Sequence, residues 1–178
     1  ELIERFNTHA QAKFYLTRQE NSYRGYLLTQ NDYYIERVDR HRANFKQRLD
    51  TVRPLVEGSP DLLAKLDIAA KGADRWHAEV VEAGIRLSAD PATLPQAVAM
   101  VGPDGLADQV ISPVEDAMDA ILTAEMAQMN KLQQQQITST RNAYASLVVG
   151  LALAVMIAIG LGMLLTRMIA GPVNAMTA

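Results

Sequence analysis

Apolar side chains recur along this 178-residue chain at helical rather than strand spacing. The plainest case is Leu62, Leu66, Ala69, Ala73, Trp76, Val80, Ala83 and Leu87, which alternate steps of four and three. That is the a/d seam of a helix packed in a left-handed bundle. Weaker versions appear in three other segments. A first helix is predicted over about Leu2–Thr29, with Ile3, Phe6, Ala10, Phe14, Leu27 and Leu28 as its apolar stripe and Thr17, Asn21 and Arg24 as interruptions. A second is predicted over about Asp32–Arg53 on Tyr34, Val38, His41, Phe45, Leu49 and Val52. Asn31-Asp32 supplies a cap and turn between them, Pro54 and Gly58-Ser59-Pro60 end the second helix, and Asp61 is a candidate cap for the third. Ser88–Gly105, rich in proline and glycine, reads as a loop with a short helical turn at Leu94–Met100. The fourth helix begins near Leu106 and carries Ile111, Val114, Met118, Ile121, Met129 and Leu132.

No breaker separates this fourth helix from the longest apolar stretch in the chain. Asn142 to Thr166 is a run of 25 residues without a formal charge, held between Arg141 and Arg167. As a helix it spans roughly 37 Å, more than a hydrocarbon core of about 30 Å requires. It is a transmembrane helix. From Val114 to Thr166 the helical pattern continues, so displacement of one end is expected to reach the other. The twelve residues after it are too few for a domain. The chain starts at Glu1 already in helical pattern, so the expectation is a piece of a longer membrane protein, preceded by an upstream anchor or a cleaved signal peptide.

Composition supports an all-α class: the polar part is rich in Ala, Leu, Gln, Glu, Asp, Lys and Arg, without alternating β-branched runs. There is no cysteine, hence no disulfide, thiolate nucleophile or cysteine-held metal. The net charge of −3 is unevenly spread. Residues 1–53 hold ten Lys/Arg against seven Asp/Glu, and residues 54–141 hold six against thirteen. Attraction between basic and acidic helices packed side by side is the simplest use of that split. Nucleic-acid binding wants a concentrated basic face on a positive domain, and neither is present.

Candidate chemistry is sparse. His9, His41 and His77 fall on three separate segments without His-x-x-x-His spacing, so a preset metal site is unsupported. His41, on an apolar stripe, reads as a hydrogen-bonded core residue. Glu125 occupies the stripe of the fourth helix between Ile121 and Met129, where an apolar residue is expected. Arg24 interrupts the first stripe, so an Arg24–Glu125 ion pair across the core is the candidate register-fixing contact; the alternative is that one or both turn to the surface. Gly25 suggests a close backbone approach or a bend. Tyr23, Tyr26, Tyr33 and Tyr34 either line a small pocket or fill the tip of the bundle, packing being favoured. No phosphate-cradling loop, nucleophile motif or paired carboxylate site is present, so no enzymatic activity and no cofactor are expected.

The segment from Glu20 to Leu49 carries Arg24, Gly25, Tyr26, Leu27, Leu28 and Thr29, then a polar turn, then Tyr33 and Tyr34 on an aromatic-rich helix. It resembles the signature of the third CHASE class of bacterial extracellular sensory domains, over about residues 1–141. The tail, with Pro172, Val173 and Met176 soon after the apolar run, looks like the opening of a HAMP linker, and its wording is most similar to chemoreceptors. The resemblance implies an antiparallel four-helix bundle outside the bacterial cytoplasmic membrane, usually a homodimer, whose last helix continues into a single transmembrane helix. It divides the chain into a sensory domain (1–141), a transmembrane helix (142–166) and the start of HAMP (167–178), followed by a cytoplasmic signalling module. The flanking charges do not fix the orientation independently. The resemblance assigns no ligand residue, and the stimulus is an undefined small molecule or protein. A chemoreceptor is the first expectation; a sensor kinase, a diguanylate cyclase and a non-sensing structural stalk are the rivals.

Overall fold

The computed structural model describes residues Leu2–Ala175, and their side chains except those of Thr166 and residues 169–175. The elements are α1 (Leu2–Thr29), α2 (Tyr33–Val52), a 3₁₀ turn (Arg53–Val56), α3 (Pro60–Trp76), a π-helical turn (His77–Glu82), α4 (Ala83–Ser88), α5 (Leu94–Met100) and α6 (Leu106–Ala175). Among the described residues there is no strand.

Sequence chemistry sets most of the ends. Gln30 takes a left-handed φ of 54° after α1; its backbone amide donates to the Tyr26 carbonyl, and its side-chain amide donates to the Tyr26 and Leu27 carbonyls of the last turn. Asn31 Oδ1 accepts from the Tyr33 amide at 2.9 Å and so caps α2. Pro60 opens α3 at its first position, with Ser59 before it. Asp61 is therefore not the cap: it lies in the first turn and pairs with Lys65 one turn on.

The chain divides into residues up to Met129 and residues from Asn130. The first unit is an up-down-up-down four-helix bundle, α3, the π turn and α4 together forming its third member. Arg5 reaches Gln128 while Lys13 reaches Asp119, so α1 and α6 run antiparallel. Arg53 pairs with Asp67 and Arg42 with Asp74, which sets α2 against α3 in the same sense. These contacts join the basic first half of the chain to its acidic second half. The core holds Leu16, Tyr23, Phe45, Leu66, Trp76, Ile111, Met118 and Ile121, all nearly or wholly buried. Close approaches depend on glycine: a Cβ on Gly25 would lie 2.7 Å from the Tyr34 ring, and one on Gly72 2.4 Å from Val114.

The inward face of α1 differs from the sequence expectation. Ile3, Phe14 and Leu28 are exposed and Phe6 and Ala10 half-buried, while His9, Ala12, Leu16, Gln19, Tyr23 and Leu27 face the core. Buried polar residues on α1, namely Thr8, His9, Gln19, Glu20 and Ser22, disguise its inward face as the polar one.

In the second unit α6 runs on from Asn130, and its apolar side chains from Tyr144 to Leu165 stand exposed. An 18-residue stretch has mean hydropathy 2.7 with none of it buried, long and apolar enough to cross a membrane.

Candidate functional site

Two polar clusters inside the bundle carry its chemistry, one at each end. At the end where α1 begins, Glu125 is 1% exposed. Arg5 Nε donates to its Oε1 at 2.7 Å, and His9 Nδ1 lies 2.8 Å from its Oε2. The His9–Glu125 separation is that of a hydrogen bond, joining α1 to α6 inside the core. Arg5 also donates to Gln128 Oε1 at 3.0 Å and to the Leu55 carbonyl at 3.4 Å. His9 is fully buried, and its Nε2 has no hydrogen-bond partner among the described residues.

Glu125 is thus the buried carboxylate that its stripe position indicates, but its partners are Arg5 and His9. The pair with Arg24 does not form. Arg24 is 47% exposed and its guanidinium lies 3.6 Å from Glu20, one turn back on the same helix. The antiparallel register explains this: Arg5 and His9 are level with Glu125, whereas Arg24 is level with the start of α6.

Midway along the α1–α6 interface, Lys13 pairs with Asp119. Farther on the interface turns acid against acid. Glu20 is buried, and its pKa is pushed up to about 7, first by burial and then by Glu115 and Asp108 on α6, with Arg24 opposing.

At the opposite end Tyr23 crosses the core from α1 to the π turn. Its hydroxyl donates to the Val80 carbonyl at 3.1 Å, and its ring meets Trp76 edge-on with centroids 6.0 Å apart. Burial, then Tyr26, pushes the phenol up to about 12, so it remains a donor across the neutral range. A Cβ on Gly84 would lie 1.6 Å from the Tyr23 hydroxyl, so the ring occupies space that only glycine leaves. The Tyr26 and Ser88 hydroxyls lie 3.2 Å apart. His77 Nε2 is 3.6 Å from Glu82, and burial, then Arg42, holds the His77 imidazole below its ordinary pKa.

The six signature residues separate by role. Gly25 packs on Tyr34, Tyr26 meets Ser88, Leu27 enters the core, and Thr29 bonds the Gly25 carbonyl. Arg24 is at the surface and Leu28 is 85% exposed. The four tyrosines do not share one pocket: Tyr23 and Tyr26 are buried, while Tyr33 and Tyr34 stack edge-on beside the α1–α2 turn. His41 stacks on Tyr15 at 5.9 Å, and neither ring nitrogen has a hydrogen-bond partner among the described residues, contrary to the hydrogen-bonded role expected. Burial, then Arg37, Arg18 and Arg40, lowers its pKa. No cluster of three or more His, Asp or Glu among the described residues is placed to hold a metal ion. Met176 lies outside the described residues, as do the side chains of Pro172 and Val173. The π turn has no signal in the periodicity, and Arg5 and His9 have none without the register.

No curated protein matches the chain. The sensor domain of the histidine kinase HK9 from Rhodopseudomonas palustris is similar in structure, with a TM-score of 0.60 at 20% identity, over 72% of this chain and 98% of that one. At that identity the likeness speaks for the fold. The CHASE3 domain profile matches residues 4–135, nearly the whole bundle, and on that match the chain belongs to the CHASE3 domain family of extracellular sensory domains.

Proposed function

We propose that the chain is the sensory input and membrane-crossing part of a bacterial receptor, with the bundle outside the inner membrane and the start of a HAMP linker over residues 167–178. One observation carries the reading: α6 is both the fourth helix of the sensory bundle and the bearer of the apolar stretch. A ligand, binding protein or lipid that favours one packing of the bundle would bias the position of α6, and only its differential affinity can do so. The bundle works as a homodimer and carries no catalytic step of its own.

For the output we favour a chemoreceptor, on the tail Pro172-Val173-Asn174-Ala175-Met176. The second reading is a sensor histidine kinase, favoured because the similar HK9 sensor domain belongs to one. Both share the relay, which is testable before the output is known. Residues 1–178 are joined to the cytoplasmic part of a chemoreceptor, and Lys13→Cys and Asp119→Cys are bridged by a short bis-maleimide in membranes. A relay predicts that bridging α1 to α6 changes the associated kinase activity at least twofold. Unchanged activity after full bridging would return the bundle to a passive stalk.

A further inference from the structure

The seam of the third bundle member slips by one residue. Leu62, Leu66, Ala69, Ala73, Trp76 and Val80 are buried in steps of four and three, and the same steps would next bury Ala83 and Leu87. Instead Gly84 and Ser88 are buried, while Ala83 and Leu87 are half-exposed. The π turn at His77–Glu82 lies where the slip occurs. A π turn closes on one residue more than an α turn, so everything after it is advanced by one position.

Each contact that depends on the slip is visible. His77 and Glu82, five apart, lie 3.6 Å from each other, whereas an α-helix would set them about 140° apart around its axis. Tyr23 donates to Val80, Gly84 yields space to the Tyr23 ring, and Ser88 meets Tyr26. The Val80 carbonyl also accepts from the Ala83 amide, and in an uninterrupted helix it would accept from Gly84 instead, so it is satisfied either way.

We propose that His77–Ser88 is a two-register element: the bulged register seen here, and an uninterrupted α-helix that turns Ala83 and Leu87 toward α1 in place of Gly84 and Ser88. The sequence supports both. The bulged register keeps two tyrosine hydroxyls partnered; the other loses those partners but buries a leucine and an alanine, and the two gains are of the same order. Passage between them rotates α4 by about a quarter turn. Because α4 leads into the loop and α5, any ligand that favours one register at that end shifts the population of the whole bundle. This goes beyond the relay reading and does not depend on which output module follows.

The chain has no cysteine, so single cysteines report directly. Leu87→Cys and Ser88→Cys are made separately in the full chain in lipid nanodiscs, and maleimide labelling rates are measured. Leu87→Cys is expected to label at least tenfold faster than Ser88→Cys. Tyr23→Phe, which removes one oxygen, and Gly84→Ala, which collides with Tyr23, are expected to slow the first and speed the second. Deleting Glu79 removes the extra residue, so it is expected to keep Ser88→Cys slow even with Tyr23→Phe. Unfolding would raise both rates together, so a reciprocal change in either variant supports two registers. If neither variant gives one, the proposal is wrong.

Discussion

The two ends of the bundle hold their helices by opposite means. At the Glu125 end, α1 and α6 are joined by a buried carboxylate that accepts from Arg5 and contacts His9. Removing either side leaves a charge or an orphaned polar group in the core, so that contact is made or broken as a whole. At the π turn, the contacts are neutral hydroxyl bonds, from Tyr23 to the Val80 carbonyl and from Ser88 to Tyr26, beside a glycine. Neutral bonds of that kind exchange partners cheaply. A bundle fixed at one end and adaptable at the other can take up a stimulus at the soft end and pass it along helices that keep their register.

The contrast can be broken first at its strong side. Glu125→Ala strips Arg5 and His9 of their partner and should lower stability by about 3–5 kcal/mol, measured by denaturant unfolding of the chain in detergent. The same scan on Tyr26→Phe should show a loss of only about 1 kcal/mol. Equal losses would erase the difference between the ends.

Glu20 sharpens the picture along the α1–α6 interface. Its pKa is raised to about 7 by burial and then by Glu115, so between about pH 4.5 and 7 the folded chain binds a proton that the unfolded chain has released. Stability should therefore fall as pH rises through that window, by roughly 2–3 kcal/mol, and Glu20→Gln should flatten the profile and raise the melting temperature at pH 8. An unaltered profile in Glu20→Gln would remove Glu20 from the account.

Gly25→Ala is expected to cost about 1–3 kcal/mol, because its Cβ would press on the Tyr34 ring at 2.7 Å. The smallest effect belongs to the surface. Burial alone would raise the Asp74 pKa, but hydrogen bonds from Arg42 and Lys46 hold it below its usual value. Asp74→Asn should still cost under about 1 kcal/mol, and that cost should vanish as pH falls through the folded pKa of Asp74.

Much of this fold is legible in the sequence. The helix limits follow from periodicity and from Asn31, Pro60 and the Ser88–Gly105 loop, because punctuation residues act locally. Glu125 stands out because a charge on an apolar stripe is conspicuous. Its partners do not, since choosing Arg5 over Arg24 requires the antiparallel register of α1 and α6, a tertiary property. The inward face of α1 is hidden for a related reason: His9, Gln19 and Glu20 are buried there, while Ile3, Phe14 and Leu28 are left outside. The π turn is the least legible feature, because the seam through Ala83 and Leu87 reads well without it. Where a sequence suits two registers, periodicity reports only one.

Hydrogen exchange of the full chain in lipid nanodiscs tests the division between the ends most directly. Amides of His77–Ser88 should exchange at least a hundredfold faster than those of α1 around His9 and of α6 around Glu125, in one cooperative group. Equal protection at the two ends would contradict it, since a uniformly rigid bundle has no soft end at which a stimulus could act.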